Sequence, residues 1–257
     1  MSPSKPSIFF VHGAYHPPQC YDAVTTLIKD AGYEVSMPRL ASLGKDALGI
    51  TVDDDVAVVR RIANELFEAG KEVVLVGHSY GGHVSAIAAK GLTTRDFKAQ
   101  GKQGGFKGVV YLSGILAKQG GCAIDACNSA AITPPDVADI YDIQTIDGKT
   151  SATVRNTETA IRYFFSPAPK DEIEKTMALL EPQCPDVFYL PALSSPADLS
   201  IPQTYVISEQ DSMVLLESQE RIVADWGMKT VRLENTGHAP FLNHPRRVAE
   251  AILEMAS

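Results

Sequence analysis

No basic stripe, no apolar run of membrane-spanning length and no metal-type cysteine spacing occurs in this chain of 257 residues. Each absence removes a class of function. Acids outnumber bases, and the formal net charge is −8. Nucleic acids and anionic membrane surfaces recruit clustered Lys and Arg, so neither is an expected partner. Crossing a bilayer takes roughly 20 consecutive apolar residues, and no such stretch exists. The opening Met-Ser-Pro-Ser-Lys-Pro-Ser has one lysine and no apolar stretch or small-residue cleavage site, which predicts a cytoplasmic location. Cys20, Cys122, Cys127 and Cys184 are accordingly expected as reduced thiols. Cys122 and Cys127 are close enough in sequence to bridge under oxidant, but no pairing has zinc-ligand spacing. His12 and His16 are spaced H-x-x-x-H but lack the helix and glutamate of a zinc protease motif. No metal is expected. Internal repeats and low-complexity tracts are also missing.

What is present is a regular alternation. Apolar strand-like runs at 8–11, 33–37, 72–76, 107–112, 203–208 and 230–233 are separated by helical periodicity at 21–31, 53–70, 82–91, 214–226 and 245–255. Such alternation predicts an α/β fold, a mainly parallel central sheet flanked by helices. Asp53, Asp54 and Asp55 open one of those helices, where negative charge is favoured. Residues 93–108, polar and glycine-rich, predict a surface loop around one short helix. From 113 to 200 the rhythm stops, and the segment is rich in Pro, Ala and Asp with amphipathic stretches near Ile161 and at 170–180. The expected organisation is therefore a core of 1–112 and 201–257 with a helical cap inserted at 113–200.

The chemistry is concentrated in Gly77-His78-Ser79-Tyr80-Gly81, between the strand ending at Val76 and the helix after Gly81. Gly-x-Ser-x-Gly in that setting is a nucleophile elbow, a turn so tight that glycine is needed on both sides of the serine. A serine hydroxyl needs a base, and the base needs an orienting group. In elbow folds these follow in the order acid, then histidine. Glu209-Gln210-Asp211 and Glu234-Asn235-Thr236-Gly237-His238 each follow a predicted strand, at the sheet edge where open α/β sheets bind ligands. His238 is the expected base and Asp211 the expected acid, with Glu209 as competitor. Gly237 and Ala239 should leave His238 sterically free. The expected oxyanion donors are the backbone N–H groups of Tyr80 and of Ala14, with Gly13 permitting a close turn. His12 is expected buried and hydrogen-bonded beneath that loop. His78 and His83 are expected in packing roles, and His244 at a helix start.

The segments Phe10-Val-His-Gly-Ala-Tyr-His16, Gly77-His-Ser-Tyr-Gly-Gly82, Ile207-Ser-Glu-Gln-Asp211 and Gly237-His-Ala-Pro-Phe-Leu242 resemble one branch of the α/β-hydrolase superfamily, that of plant methylesterases and hydroxynitrile lyases. The resemblance covers nearly the whole chain. The segment at 90–111 also resembles small filamentous-fungal hydrolases, some relatives of which act on polyketide-type metabolites. The resemblance implies carboxylic-ester hydrolysis through an acyl-enzyme, no metal or organic cofactor, and a small helical cap over the serine. Hydroxynitrile lyases carry a lysine directly after the catalytic histidine and a threonine in the first loop. Here those positions are Ala239 and Gly13, which counts against cyanohydrin cleavage.

The expected activity is hydrolysis of a small ester, lactone or thioester by Ser79, His238 and Asp211. The alternative is a lyase or cyclase of the same fold, with His238 moving a proton on the substrate and Ser79 orienting it. A third reading, a ligand-binding protein without turnover, has no substituted motif residue to favour it. Gly13, Tyr15, His16, Tyr141, Phe164 and Phe165 are the expected substrate-binding residues, His16 at the pocket mouth. Tyr163, Phe188 and Tyr189 are further aromatic candidates in the same segment. Arg155 or Arg162 would have to compensate if the substrate were anionic. A small-molecule substrate and a monomer or homodimer complete the expectation.

Overall fold

A computed structural model describes residues 5–126 and 134–257. In chain order the strands are β1 (Ser7–Val11), β2 (Val35–Ser36), β3 (Glu72–His78), β4 (Gly105–Leu112), β5 (Tyr141–Ile146), β6 (Lys149–Val154), β7 (Gln203–Ser208) and β8 (Lys229–Leu233). The helices are α1 (Asp22–Asp30), α2 (Val52–Glu68), α3 (Tyr80–Ala89), α4 (Thr94–Ala99), α5 (Ala123–Ala126), α6 (Pro134–Ile140), α7 (Glu158–Phe164), α8 (Lys170–Leu179), α9 (Leu216–Trp226), α10 (Pro240–Asn243) and α11 (Pro245–Ala256).

Six strands form one sheet in the order β2-β1-β3-β4-β7-β8, and every pair in it is parallel. The central strands are covered on both faces, which is why β1, β3 and β4 read as nearly continuous apolar runs. β2 is only a two-residue edge, shorter than its apolar run predicts, and Pro38 soon follows. α1 packs on α11, and α2 packs on α3. Val52, Val56, Val59, Ala63 and Phe67 form the buried stripe of α2. Phe67 meets Phe97 and Phe106 edge-on at 5.1 and 5.0 Å. Burying each large apolar side chain of this kind contributes about 1.5–3 kcal/mol.

The three acids at the start of α2 do not act alike. Thr51 and Asp54 form a capping box, as charge at a helix N-terminus predicts. Asp55 instead turns into the interior and is fully buried. The segment between β4 and β7 also departs from a purely helical reading. Alongside α5 to α8 it holds the antiparallel pair β5–β6, whose register runs from Tyr141–Val154 to Ile146–Lys149. Its turn at Asp147-Gly148 has positive φ at both residues, the usual hairpin signature. The expected helix in the 93–108 region is α4, and β4 begins earlier than its apolar run suggests, at Gly105. Cys20, Cys122 and Cys184 are free thiols, and Cys127 lies outside the described residues. Among the described residues, no helix is long and apolar enough to cross a membrane.

Candidate active site

The strand order reverses between β1 and β3, so the loops that follow them open side by side at one sheet edge. Register places Val11 beside Gly77, which brings the loop 12–16 against the turn that carries Ser79. Ser79 has φ 51° and ψ −123°, a strained conformation for a residue with a side chain. It is held by its N–H donating to Leu112 O at 3.1 Å and its carbonyl accepting from Gly82 and Ile115 N–H, both at 2.9 Å. Glycine is required on either side by close approach. A Cβ on Gly77 would stand 2.6 Å from Gly81 O, and one on Gly81 would stand 2.2 Å from Val11 O.

Three side chains from three strand ends then meet in one hydrogen-bonded row. Asp211 follows β7, and its Oδ1 accepts from the N–H groups of Met213 at 2.7 Å and Val214 at 2.9 Å. Its Oδ2 lies 2.9 Å from His238 Nδ1, and His238 Nε2 lies 2.8 Å from Ser79 Oγ. All three residues are buried. With Nδ1–H donating to the carboxylate, Nε2 is left to accept the serine proton. Glu209, the competing acid, pairs with Arg232 at 2.9 Å instead. Gly237 has a different reason from the one expected. A Cβ there would lie 1.9 Å from Ser166 O, so the glycine admits the backbone ahead of α8 against the His238 loop.

An apolar cavity opens over Ser79 and His238. Ala14, Tyr15, Tyr141 and Phe164 line it, as does Phe188. Tyr15 sits 5.5 Å from the Tyr141 ring and 6.0 Å, edge-on, from that of Phe164. Gly13, His16 and Phe165 are not on the wall, a correction to their expected place. Gly13 instead lets the first loop close over His78, since a Cβ there would be 2.5 Å from His78 Nδ1. His16 is 1% exposed and faces inward among Phe165, Phe241 and His78, not the mouth. Phe165 is fully buried beside it. The motifs did not single out Met213, Ile115 or Ile143, which also line the cavity. Met213 was within reach of the sequence, two residues after Asp211 in a strand-end loop. Arg155 and Arg162 pair with Asp142 and Asp136 and do not line the cavity. Among the described residues, no group of three or more His, Cys, Asp or Glu side chains is arranged to hold a metal ion.

The other histidines brace this arrangement. His12 is buried, as expected, with Nδ1–H donating to Gly13 O at 2.9 Å and Nε2 accepting from Leu40 N–H at 2.9 Å. His78 does more than pack. Gly13 N–H donates to Tyr21 Oη at 2.8 Å, Tyr21 O–H donates to His78 Nδ1 at 2.8 Å, and His78 Nε2–H donates to His238 O at 2.8 Å. A continuous chain thus links the first loop to the backbone of His238.

Burial keeps these imidazoles neutral. It depresses His12 to about 4, His16 to about 3 and His83 to about 4, with His78 also well below the ordinary value. Each folded value lies below the unfolded one, so the unfolded chain takes up the proton first. The resulting stability is complete above about pH 6.5 and is lost as pH falls toward about 4. His83 is the cleanest case, since desolvation is the sole cause and its Nε2 has no hydrogen-bond partner. Between pH 7 and pH 5, His83→Met should lose about 2 kcal/mol less unfolding free energy than the native chain. Urea titrations at both pH values measure this, and equal losses would rule out a neutral buried His83.

The parallel sheet, the elbow and the strand-end row define an enzyme of the α/β-hydrolase fold. The sequence profile of the alpha/beta hydrolase family matches residues 8–251, and the chain belongs to that family. Alpha/beta hydrolase nvfD of Aspergillus novofumigatus is 29% identical over 257 residues, covering 98% of this chain and 97% of that one. The pyrethroid hydrolase of Sphingobium wenxiniae is 26% identical over 266 residues, covering 97% and 87%. The crystal structure of the methylesterase MES16 from Arabidopsis superposes with a TM-score of 0.74 at 21% identity, covering 97% of this chain and 98% of the other.

Proposed function

We propose that the chain is a serine esterase that cleaves neutral, predominantly apolar carboxylic esters through an acyl-enzyme. The observation that carries this is the Asp211–His238–Ser79 row at the floor of an apolar cavity. In this reading His238 takes the Ser79 proton as Oγ attacks the carbonyl carbon. The tetrahedral oxyanion is held by the N–H groups of Ala14 and Tyr80. His238 then returns the proton to the departing alcohol, and a water deprotonated by the same imidazole releases the acid. Residues 113–200 act as the cap, supplying Tyr141, Phe164 and Phe188 to the wall. One relative is named a methylesterase, which supports the same bond class here, and another is named a pyrethroid hydrolase.

Substrate charge is the sharpest test of this reading. His238 is the only titratable base on the wall among the described residues, and neither Lys nor Arg reaches it. A carboxylate buried there would lose its hydration without gaining a partner. Appending a carboxylate to the acyl chain of a 4-nitrophenyl ester should lower kcat/KM by at least about 100-fold, or ~3 kcal/mol. A preference for the anionic ester would remove the neutral-substrate assignment. Hydrolysis in ¹⁸O-water should place one heavy oxygen in the released acid. Product formation without that label would favour the lyase or cyclase alternative.

A further inference from the structure

We propose that Asp55, Ser42 and Gln183 form a buried polar brace that positions both backbone donors of the oxyanion site. The inference rests on the esterase reading above, because it concerns the loops that carry those donors. Asp55 lies on α2, outside the catalytic row, and is fully buried. Burial pushes the pKa of its carboxyl up from the ordinary value. Among the described residues it forms no ion pair. Its Oδ1 accepts from Ser42 N–H at 2.9 Å, and its Oδ2 accepts from Ser42 O–H at 2.5 Å and from Tyr80 O–H at 2.8 Å. A carboxylate is a costly group to bury merely to fasten a helix to a loop. This junction needs an acceptor that can take several donors at once from different directions, and a carboxylate does so.

Two arms leave Asp55, and each ends at one oxyanion wall. The first is Tyr80 itself. Its hydroxyl is fixed by Asp55 while its backbone N–H, directly after Ser79, is the proposed donor. The second runs through Ser42. Gln183 Nε2–H donates to Ser42 Oγ at 2.6 Å, and Gln183 Oε1 accepts from Tyr15 N–H at 3.3 Å. Tyr15 adjoins Ala14, the other proposed donor, and has φ 66°, a left-handed conformation that a tyrosine adopts only when held. It is held from both sides by one segment, because Glu181 N–H also donates to Tyr15 O at 3.0 Å. That segment is anchored in turn. Gln183 exchanges two backbone hydrogen bonds with Ala152 of β6, and Cys184 N–H donates to Ser42 O, each at 2.9 Å. The brace thus ties the seating of the inserted segment to the spacing between the two donors. Asp55, Ser42 and Gln183 are positioning residues in this account, since none of them touches the reacting atoms.

The test compares native protein with Tyr80→Phe, which removes one hydroxyl, and Gln183→Leu, which cuts the second arm. For a 4-nitrophenyl ester, each variant should lose about 10- to 100-fold in kcat with KM within about twofold. A trifluoromethyl ketone, which forms a tetrahedral adduct on the serine, should lose affinity by the same factor as kcat. The matching alcohol, which needs no oxyanion site, should bind unchanged. Thermal melts are run on the same samples, and a merely structural role would lower Tm without this split. Unchanged kcat and ketone affinity in both variants would overturn the brace, as would equal losses for ketone and alcohol. Tyr80→Phe, the milder change, remains interpretable if Gln183→Leu does not fold. If the native protein hydrolyses no ester and is not labelled by a fluorophosphonate, the esterase reading fails and the brace falls with it. If native turnover is normal and the variants match it, the brace alone is wrong.

Discussion

Ser79→Ala is expected to lower ester turnover by at least about 10⁴-fold while leaving the fold intact. The substitution removes one atom. The Cβ, the strained turn, the Ser79 N–H bond to Leu112 O and the bonds from Gly82 and Ile115 N–H to Ser79 O are retained. What disappears is the Oγ held 2.8 Å from His238 Nε2, and with it the bond to the acyl group. His238→Ala should cost a similar factor, because without the base the hydroxyl stays protonated at neutral pH. The double variant should be no worse than either single one, since the two groups act as one device. Steady-state hydrolysis of a 4-nitrophenyl ester measures the rates, and mass spectrometry after fluorophosphonate treatment reports the covalent step. Native protein should gain one phosphonyl group, and Ser79→Ala none. If folded Ser79→Ala retains more than about one per cent of native turnover, the acyl-enzyme mechanism proposed here is incorrect.

The parts of this site that were legible in the sequence are those imposed by local chain geometry. A strand, a glycine-flanked serine and a small-residue helix must be contiguous for an elbow to form, so 72–91 could be read directly. Asp211 and His238 were readable because each follows an apolar strand run, and parallel strands deliver their C-terminal loops to one edge. Four features are not legible in this way. Asp55 looked like its neighbours Asp53 and Asp54, and only the packing of α2 against β3 and α3 decides which of three consecutive acids turns inward. The β5–β6 hairpin carries only a short signal, the Tyr141-Asp142-Ile143-Gln144 alternation and the Asp147-Gly148 turn, and its largely exposed strands lack the long apolar runs that mark the central sheet. The loop position of His16 points to the pocket, whereas its Nδ1–H bond to Ala14 O at 2.7 Å folds the ring back under that loop. The cavity wall is also long-range in origin. It joins Tyr15 from the first loop to Tyr141, Phe164 and Phe188 from the insertion, and no local periodicity reports that meeting.

Gly81→Ala should destabilise the protein by about 3–5 kcal/mol and lower Tm by about 10 °C or more. The reason is separable from glycine's conformational freedom, because Gly81 does not have positive φ. A methyl group there would lie 2.2 Å from Val11 O, 2.5 Å from His12 O and 2.8 Å from Val11 C. All three are backbone atoms at the end of β1, which is buried and, at Val11, paired with Gly77 of β3, so none can rotate away. Relief requires α3 to lift from the sheet, and α3 begins at the residue after Ser79. The matched control is Gly91→Ala. Gly91 has φ +76° and open space around its Cα, so alanine there incurs only the left-handed penalty of about 1–2 kcal/mol. Urea and thermal unfolding of the two variants separate steric contact from backbone strain. Near-native stability of Gly81→Ala would mean that α3 does not cross β1 this closely. In the fraction that stays folded, specific activity should fall further than stability alone accounts for. Lifting α3 moves Ser79 Oγ away from His238 and moves the Tyr80 N–H with it, and a shift of about 1 Å is enough to cost roughly 100-fold in rate. The contact that makes glycine obligatory at 81 is therefore the same contact that sets the height of the serine above the sheet.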